Sequence, residues 1–304
     1  CHCCAIPELP DGVSFLDAAA HATDVYHKNA PDESMFTAFG AMFAPGGGEH
    51  LIQARIAMLT SKWWGPKVDL DVKFLDNLSL TLRAKILSYA NKWNKYGNVQ
   101  FRETNSSNAT IRLSTQPGDG HYAYLGTDMR LIPVGQKNMN LDSFSSPNMP
   151  DSEFDRVVCH EFGHAIGCPH EQSRPEVMAR LDRQKTYQFY RNQYGWGQAT
   201  VDAQIFSPLD PASIWATNPD ETSIMCYQFP GSCTKNGQPI PGGMKINDLD
   251  GSLIHDKYPK EGGPTPPPPV NPPVSSVGKV VIDIDAKSVT VPGAGWTLRA
   301  AAPG

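Results

Sequence analysis

The sequence predicts a mixed α/β (α+β) domain followed by a short β-rich C-terminal tail. Three observations lead there. Val68–Leu75 (VDLDVKFL) alternates apolar and polar residues, the period of a half-buried strand. Leu82, Ile86, Ala90 and Trp93 recur at three- and four-residue spacing, the period of an amphipathic helix. A second helical pattern opens at Asp151, with Glu153 in its first turn and Phe154, Val157 and Val158 pointing inward.

The other elements follow in chain order. Val99–Arg102 and Ala109–Leu113 read as further strands. Gly120–Gly126 (GHYAYLG) is aromatic-rich and bounded by glycines, as an edge strand is, and an extended peptide can add to such an edge through main-chain hydrogen bonds. Helices are expected over about Asp182–Tyr194 and from Asn247 to before Pro259, the latter with Ile246, Leu249, Leu253 and Ile254 as its apolar face.

Composition divides the chain. Residues 1–50 lack a clear period and read as a leader or pro-segment, and 51–259 hold the folded domain. Residues 260–276 are a proline-rich linker, an extended spacer without a core. Residues 277–304 are a short β tail or the start of a further module, with two strands expected around a turn near Ala286-Lys287.

Bulk numbers exclude several classes. A net charge of -5 leaves no basic footprint for nucleic acid. No run of 18 apolar residues predicts a membrane span. The chain opens at Cys1, and no leader peptide is visible. Its seven cysteines point weakly to an oxidising compartment. Cys226 and Cys233 are spaced to close a short disulfide loop, whereas Cys159 and Cys168 are held apart by helix. Asn77, Asn105 and Asn108 head glycosylation sequons.

The chemistry sits on the helix that begins at Asp151. His160-Glu161-Phe162-Gly163-His164 places two imidazoles four residues apart, on one helix face, where both can reach one metal ion. Glu161 flanks that ion without ligating it and can accept a proton from bound water. Gly167, three residues past His164, lets the chain leave the helix in a left-handed turn and bring back His170 as a third ligand. Zinc accepts such a set.

HEFGHAIGCPH resembles the metzincin pattern of zinc metallopeptidases. Ser223-Ile224-Met225-Cys226-Tyr227 matches the methionine turn that lies beneath the metal in these enzymes. Glu171 after the third histidine, Gln172-Ser173-Arg174-Pro175 and Tyr227 lean toward the astacins, with Cys226 in place of their usual histidine. A matrixin-like enzyme is the near alternative. The resemblance covers about residues 62–259. It implies a metzincin-type catalytic domain: a twisted mixed sheet, an active-site helix and a helical C-terminal subdomain.

On this reading the chain is a secreted, extracellular zinc endopeptidase. It acts on protein or peptide substrates and is expected as a monomer. His160, His164 and His170 hold Zn2+, Glu161 is the general base, and Tyr227 supports the oxyanion. Met225 shapes the base of the site, and Glu171 is structural, ion-paired near the cleft. Cys1-His2-Cys3-Cys4 can supply a thiolate to the open zinc position and hold the enzyme latent. The same cysteines are the donor that a closed structural zinc site would need, and a non-catalytic zinc-binding or adhesion protein is the alternative class. His2, His21, His27, His50, His121 and His255 are expected to be ordinary surface or core residues.

Overall fold

The computed structural model describes residues 4–30, 60–146, 148–207 and 219–260, together with the backbone of three strands between 281 and 299. Most of the expected linker, and the turn expected near Ala286-Lys287, lie outside the described residues.

The alternating residues of Val68–Leu75 form β2 (Val68–Phe74), with Val68, Leu70 and Val72 turned into the core. Strand β2 lies one strand in from the edge of a six-stranded mixed sheet that also contains β1 (Cys4–Ala5), β3 (Val99–Glu103), β4 (Ile111–Ser114), β5 (His121–Ala123) and β6 (Met139–Asn140). The order is β1-β5-β6-β4-β2-β3. All neighbours are parallel except β5 and β6.

The amphipathic pattern forms helix α2 (Leu80–Ala90), capped by the Ser79 hydroxyl, and runs on as a 3-10 turn through Asn91–Lys95. It buries Ile86, Ala90 and Trp93 against the sheet. The helix from Asp151 is three pieces end to end: α3 (Asp151–Glu153), a π-helical turn (Phe154–Val158) and α4 (Cys159–Ala165). Pro150, not Asp151, stands at its cap, and no side chain closes that end.

A second, smaller core lies below. It gathers Val177, Leu181, Tyr190, Val201, Ile205, Phe229 and Ile240 around α5 (Pro175–Met178), α6 (Arg183–Tyr194) and α7 (Gln198–Gln204). Asp182 caps α6, and Gly195 ends it in the left-handed conformation at φ 70. Helix α8 (Asp248–Lys257) returns to the upper core through Ile254. Leu249, expected on its apolar face, is instead solvent-exposed, because Ile246, Leu253 and Ile254 suffice to cover the contact.

The first residues and the tail hold elements beyond those expected. The first residues contain a regular helix, α1 (Phe15–Val25), with a Ser14–Asp17 capping box. Its inward face is only Ala18, Ala19 and Ala22, too weakly apolar to register as a period. In the tail the two expected strands form, β7 (Val281–Asp283) and β8 (Ser288–Val291), and a third, β9 (Trp296–Arg299), follows them, all antiparallel. No helix among the described residues is long and apolar enough to cross a membrane.

Candidate metal centre and catalytic cleft

Helix α4 presents His160, Glu161 and His164 from one buried turn. Its end is sharply made. Gly167, at φ 95, turns the chain, and Cys168 N–H reaches back to Gly163 C=O at 3.0 Å. Two more carbonyls left open at that terminus are taken by side chains from afar: Trp64 Nε1 donates to Ala165 O at 2.7 Å and Tyr258 Oη to Ile166 O at 2.7 Å. The turn delivers His170 beside the helix. His164 Nε2 lies 3.1 Å from His160 Nε2 and 3.0 Å from His170 Nε2.

Three ring nitrogens this close, without protons between them, call for a cation. The far sides of two rings support that tautomer. His160 Nδ1 donates to Ile224 O at 2.6 Å and His164 Nδ1 to Cys168 O at 2.7 Å, which leaves both Nε2 lone pairs facing the centre. Burial lowers the pKa of all three imidazoles, His160 to about 4, so they stay in the neutral form a metal needs. The donors therefore fit zinc, which takes imidazole nitrogen in a tetrahedral set.

The methionine turn closes the floor. Asp250, on α8, accepts from Ser223 Oγ at 2.6 Å, Ile224 N–H at 3.0 Å and Asn247 N–H at 3.0 Å. Met225 is buried beneath α4, and a Cβ on Gly163 would come within 2.6 Å of its sulfur. Glycine inside HEFGH is thus a packing requirement. Glu171 N–H donates to Met225 O at 3.0 Å, and Tyr227 N–H donates to Gln172 Oε1 at 3.0 Å. These bonds join the segment after His170 to the turn and set the Tyr227 ring 4.6 Å from that of His170. Glu171 pairs with Arg174 at 3.1 Å and accepts from Asp220 N–H at 3.0 Å, the structural role expected of it.

Glu161 is almost fully buried, and burial pushes its carboxyl up to about 8. The group that faces it is Cys4, whose Sγ donates to Glu161 Oε2 at 3.2 Å. The Cys4 sulfur and the three histidine nitrogens all lie within 4.8 Å of one another. Strand β1 carries this thiol into the cleft by pairing parallel to β5, Cys4 opposite His121 and Ala5 opposite Tyr122. The edge expected at Gly120–Gly126 is therefore shorter, His121–Ala123, and is covered by the chain's own first residues. About 30 Å³ of space remains beside Cys4, Glu161 and His160, enough for a water or two but not for a peptide. A neighbouring cavity of about 460 Å³ shares His121, Arg156 and Gln228 with it and opens toward Met149 and Met244.

His121, expected to be an ordinary histidine, lines both cavities, and its Nδ1 accepts from Asp142 N–H at 2.9 Å. Nothing in its sequence neighbourhood marks it. The Cys226–Cys233 loop does not form, and Cys159, Cys168 and Cys226 are buried thiols.

Residues 56–229 match the family model of astacin, a peptidase family. The chain belongs to the astacin family. Zinc is that family's metal, and the matrixin alternative is set aside. Over 121 residues, 38% of this chain, the astacin-family sequence is 31% identical to zinc metalloproteinase nas-28 of Caenorhabditis elegans; the match spans 21% of that longer protein. Two solved structures of myroilysin share the astacin-type fold seen here. One is 30% identical with a TM-score of 0.62, covering 66% of this chain and 96% of its own. The other is 31% identical with a TM-score of 0.51, covering 66% and 86%.

Proposed function

We propose that this astacin-family chain is a secreted zinc endopeptidase, held latent in this conformation by its own N-terminal segment. The observation that carries the reading is the convergence of three neutral imidazoles on one point, with the Glu161 carboxyl beside it and Cys4 in the remaining gap.

His160, His164 and His170 would hold the metal. Zinc bound there supplies Lewis acidity and lowers the pKa of a coordinated water toward ~7. Glu161 is placed to take the proton of the attacking water and to hand it to the leaving nitrogen. Its Oε2 is held by the Cys4 thiol here, so Cys4 must leave before Glu161 can act. Tyr227, fixed through its backbone to Gln172, offers its phenol to the oxyanion of the substrate carbonyl. The uncovered edge of β5 would pair with the main chain of an extended substrate.

The latent state fits the domain division into a 1–50 pro-segment, a 51–259 peptidase domain, a 260–276 linker and a 277–304 tail. The pro-segment is docked at more than the cleft. Asn29, fully buried, donates to Trp63 O at 2.7 Å and accepts from Trp63 N–H at 2.9 Å.

One observation favours a second reading. Three histidines and a cysteine form a closed donor set, as structural zinc sites do. Casein cleavage separates the two. Zinc-loaded protein treated with iodoacetamide, to block Cys4, is expected to cleave casein, to stop on chelation, and to remain inert as the Glu161→Ala variant. Zinc-loaded, Cys4-blocked protein that leaves casein intact would establish the closed structural site.

A further inference from the structure

The N-terminal segment is held by two parts of the molecule, the sheet and the lower core. On the sheet side it pairs with β5. From the lower core a single side chain meets its main chain: Ile6 N–H donates to Gln204 Oε1 at 3.1 Å, and Gln204 Nε2 donates to Ile6 O at 3.0 Å.

Gln204 ends α7, in the lower core. Val201 and Ile205 beside it are fully buried, so the carboxamide springs from a fixed stem. A carboxamide sets one donor and one acceptor side by side, the pair that one residue of an extended strand offers along its edge. It therefore binds main chain and is indifferent to the side chain that comes with it. Ile6 contributes nothing to this contact that any other non-proline residue would lack.

We infer that the Gln204 carboxamide is a peptide-backbone subsite on the lower wall of the cleft, taken in this chain by Ile6 and left for one residue of an extended substrate once the N-terminal segment moves out. The inference rests on the reading of the chain as a latent peptidase. It makes Gln204 answer to two ligands of one chemistry: the chain's own extended segment, which it locks, and an incoming peptide, which it positions between itself and β5.

Both roles are read on the full-length, zinc-loaded protein. Gln204→Leu removes both hydrogen bonds at similar volume, and Gln204→Glu keeps only the acceptor. Alkylation of Cys4 by iodoacetamide, followed by mass spectrometry of the peptide that contains it, is expected to run about tenfold faster in Gln204→Leu than in the parent and by an intermediate factor in Gln204→Glu. In the alkylated proteins, Gln204→Leu is expected to raise KM for a peptide substrate about tenfold with kcat within about twofold. Unchanged alkylation overturns the inference. So does faster alkylation with an unchanged KM, which would leave a latch without a substrate role. Failure of the latency reading looks different: Cys4 of the parent protein is then alkylated as fast as in urea, or the alkylated parent cleaves nothing. In the first case alkylation rates carry nothing and the KM comparison alone decides on Gln204; in the second, the Kd of an extended peptide for the alkylated parent and Gln204→Leu proteins, measured by calorimetry, takes the place of KM.

Discussion

Glu161 and Cys4 lie 157 positions apart and share one hydrogen bond. Glu161→Gln preserves its shape and removes its basicity. The variant is expected to keep its zinc stoichiometry and to lose about 10³-fold in kcat, the middle of the range for a general base. Tyr227→Phe removes only a hydroxyl. A loss of about 10–100-fold in kcat with KM nearly constant is expected, since its bond forms in the transition state; equal kcat in the two proteins would remove Tyr227 from the chemistry. The three histidines and Glu161 were legible in the sequence because their spacing is local, one helical turn and one glycine exit. Cys4 was legible only as a candidate among three cysteines, and His121 not at all, because the sheet brings them to the cleft from distant positions.

The methionine turn and α8 act as one element. The Asn247–Asp250 capping box starts the helix, and the same Asp250 carboxylate holds Ser223 and Ile224. Asp250→Ala would leave buried donors without an acceptor, so an unfolding loss of about 2–3 kcal/mol is expected by urea titration. Zinc affinity should weaken with it, because Ile224 O is the partner of His160 Nδ1. Gly163→Ala tests the contact above the turn: its methyl would press on Met225 Sδ and Trp93, and a cost of about 1–3 kcal/mol is expected for the overpacking. The zinc motif leaves position 163 open and fixes only Gly167, so nothing in the motif says that Met225 demands a glycine here. Element types came through well, ends less so. Helix α2 gives way to a 3-10 turn at Asn91, and α1 was missed because alanines line its inward face.

Across the whole molecule, zinc is expected to be a stabilising ligand. Chelation should lower Tm, since a metal held at a thousandfold over its Kd adds about 4 kcal/mol to folding. A thermal scan with and without chelator measures this. Stability should also depend on pH through Lys257, which packs over the Trp63 ring and is lowered to about 7, first by burial. A lysine depressed in the folded state binds fewer protons there than when unfolded, so its cost is complete below pH 7 and fades as pH rises toward its ordinary value of 10.5. Lys257→Met is expected to flatten the rise in urea midpoint between pH 7 and pH 10; an unchanged slope would assign that rise to other groups.

The sequence by itself determined the clustered histidines, the carboxyl beside them, the methionine turn and the astacin character, because each is written in residues close along the chain. Only the tertiary structure decided that the edge of β5 is already filled, that Cys4 reaches Glu161, and that Gln204 holds Ile6. Those contacts join residues more than a hundred positions apart through a parallel strand pairing and one side-chain amide, and no periodicity or local spacing encodes a meeting of that kind.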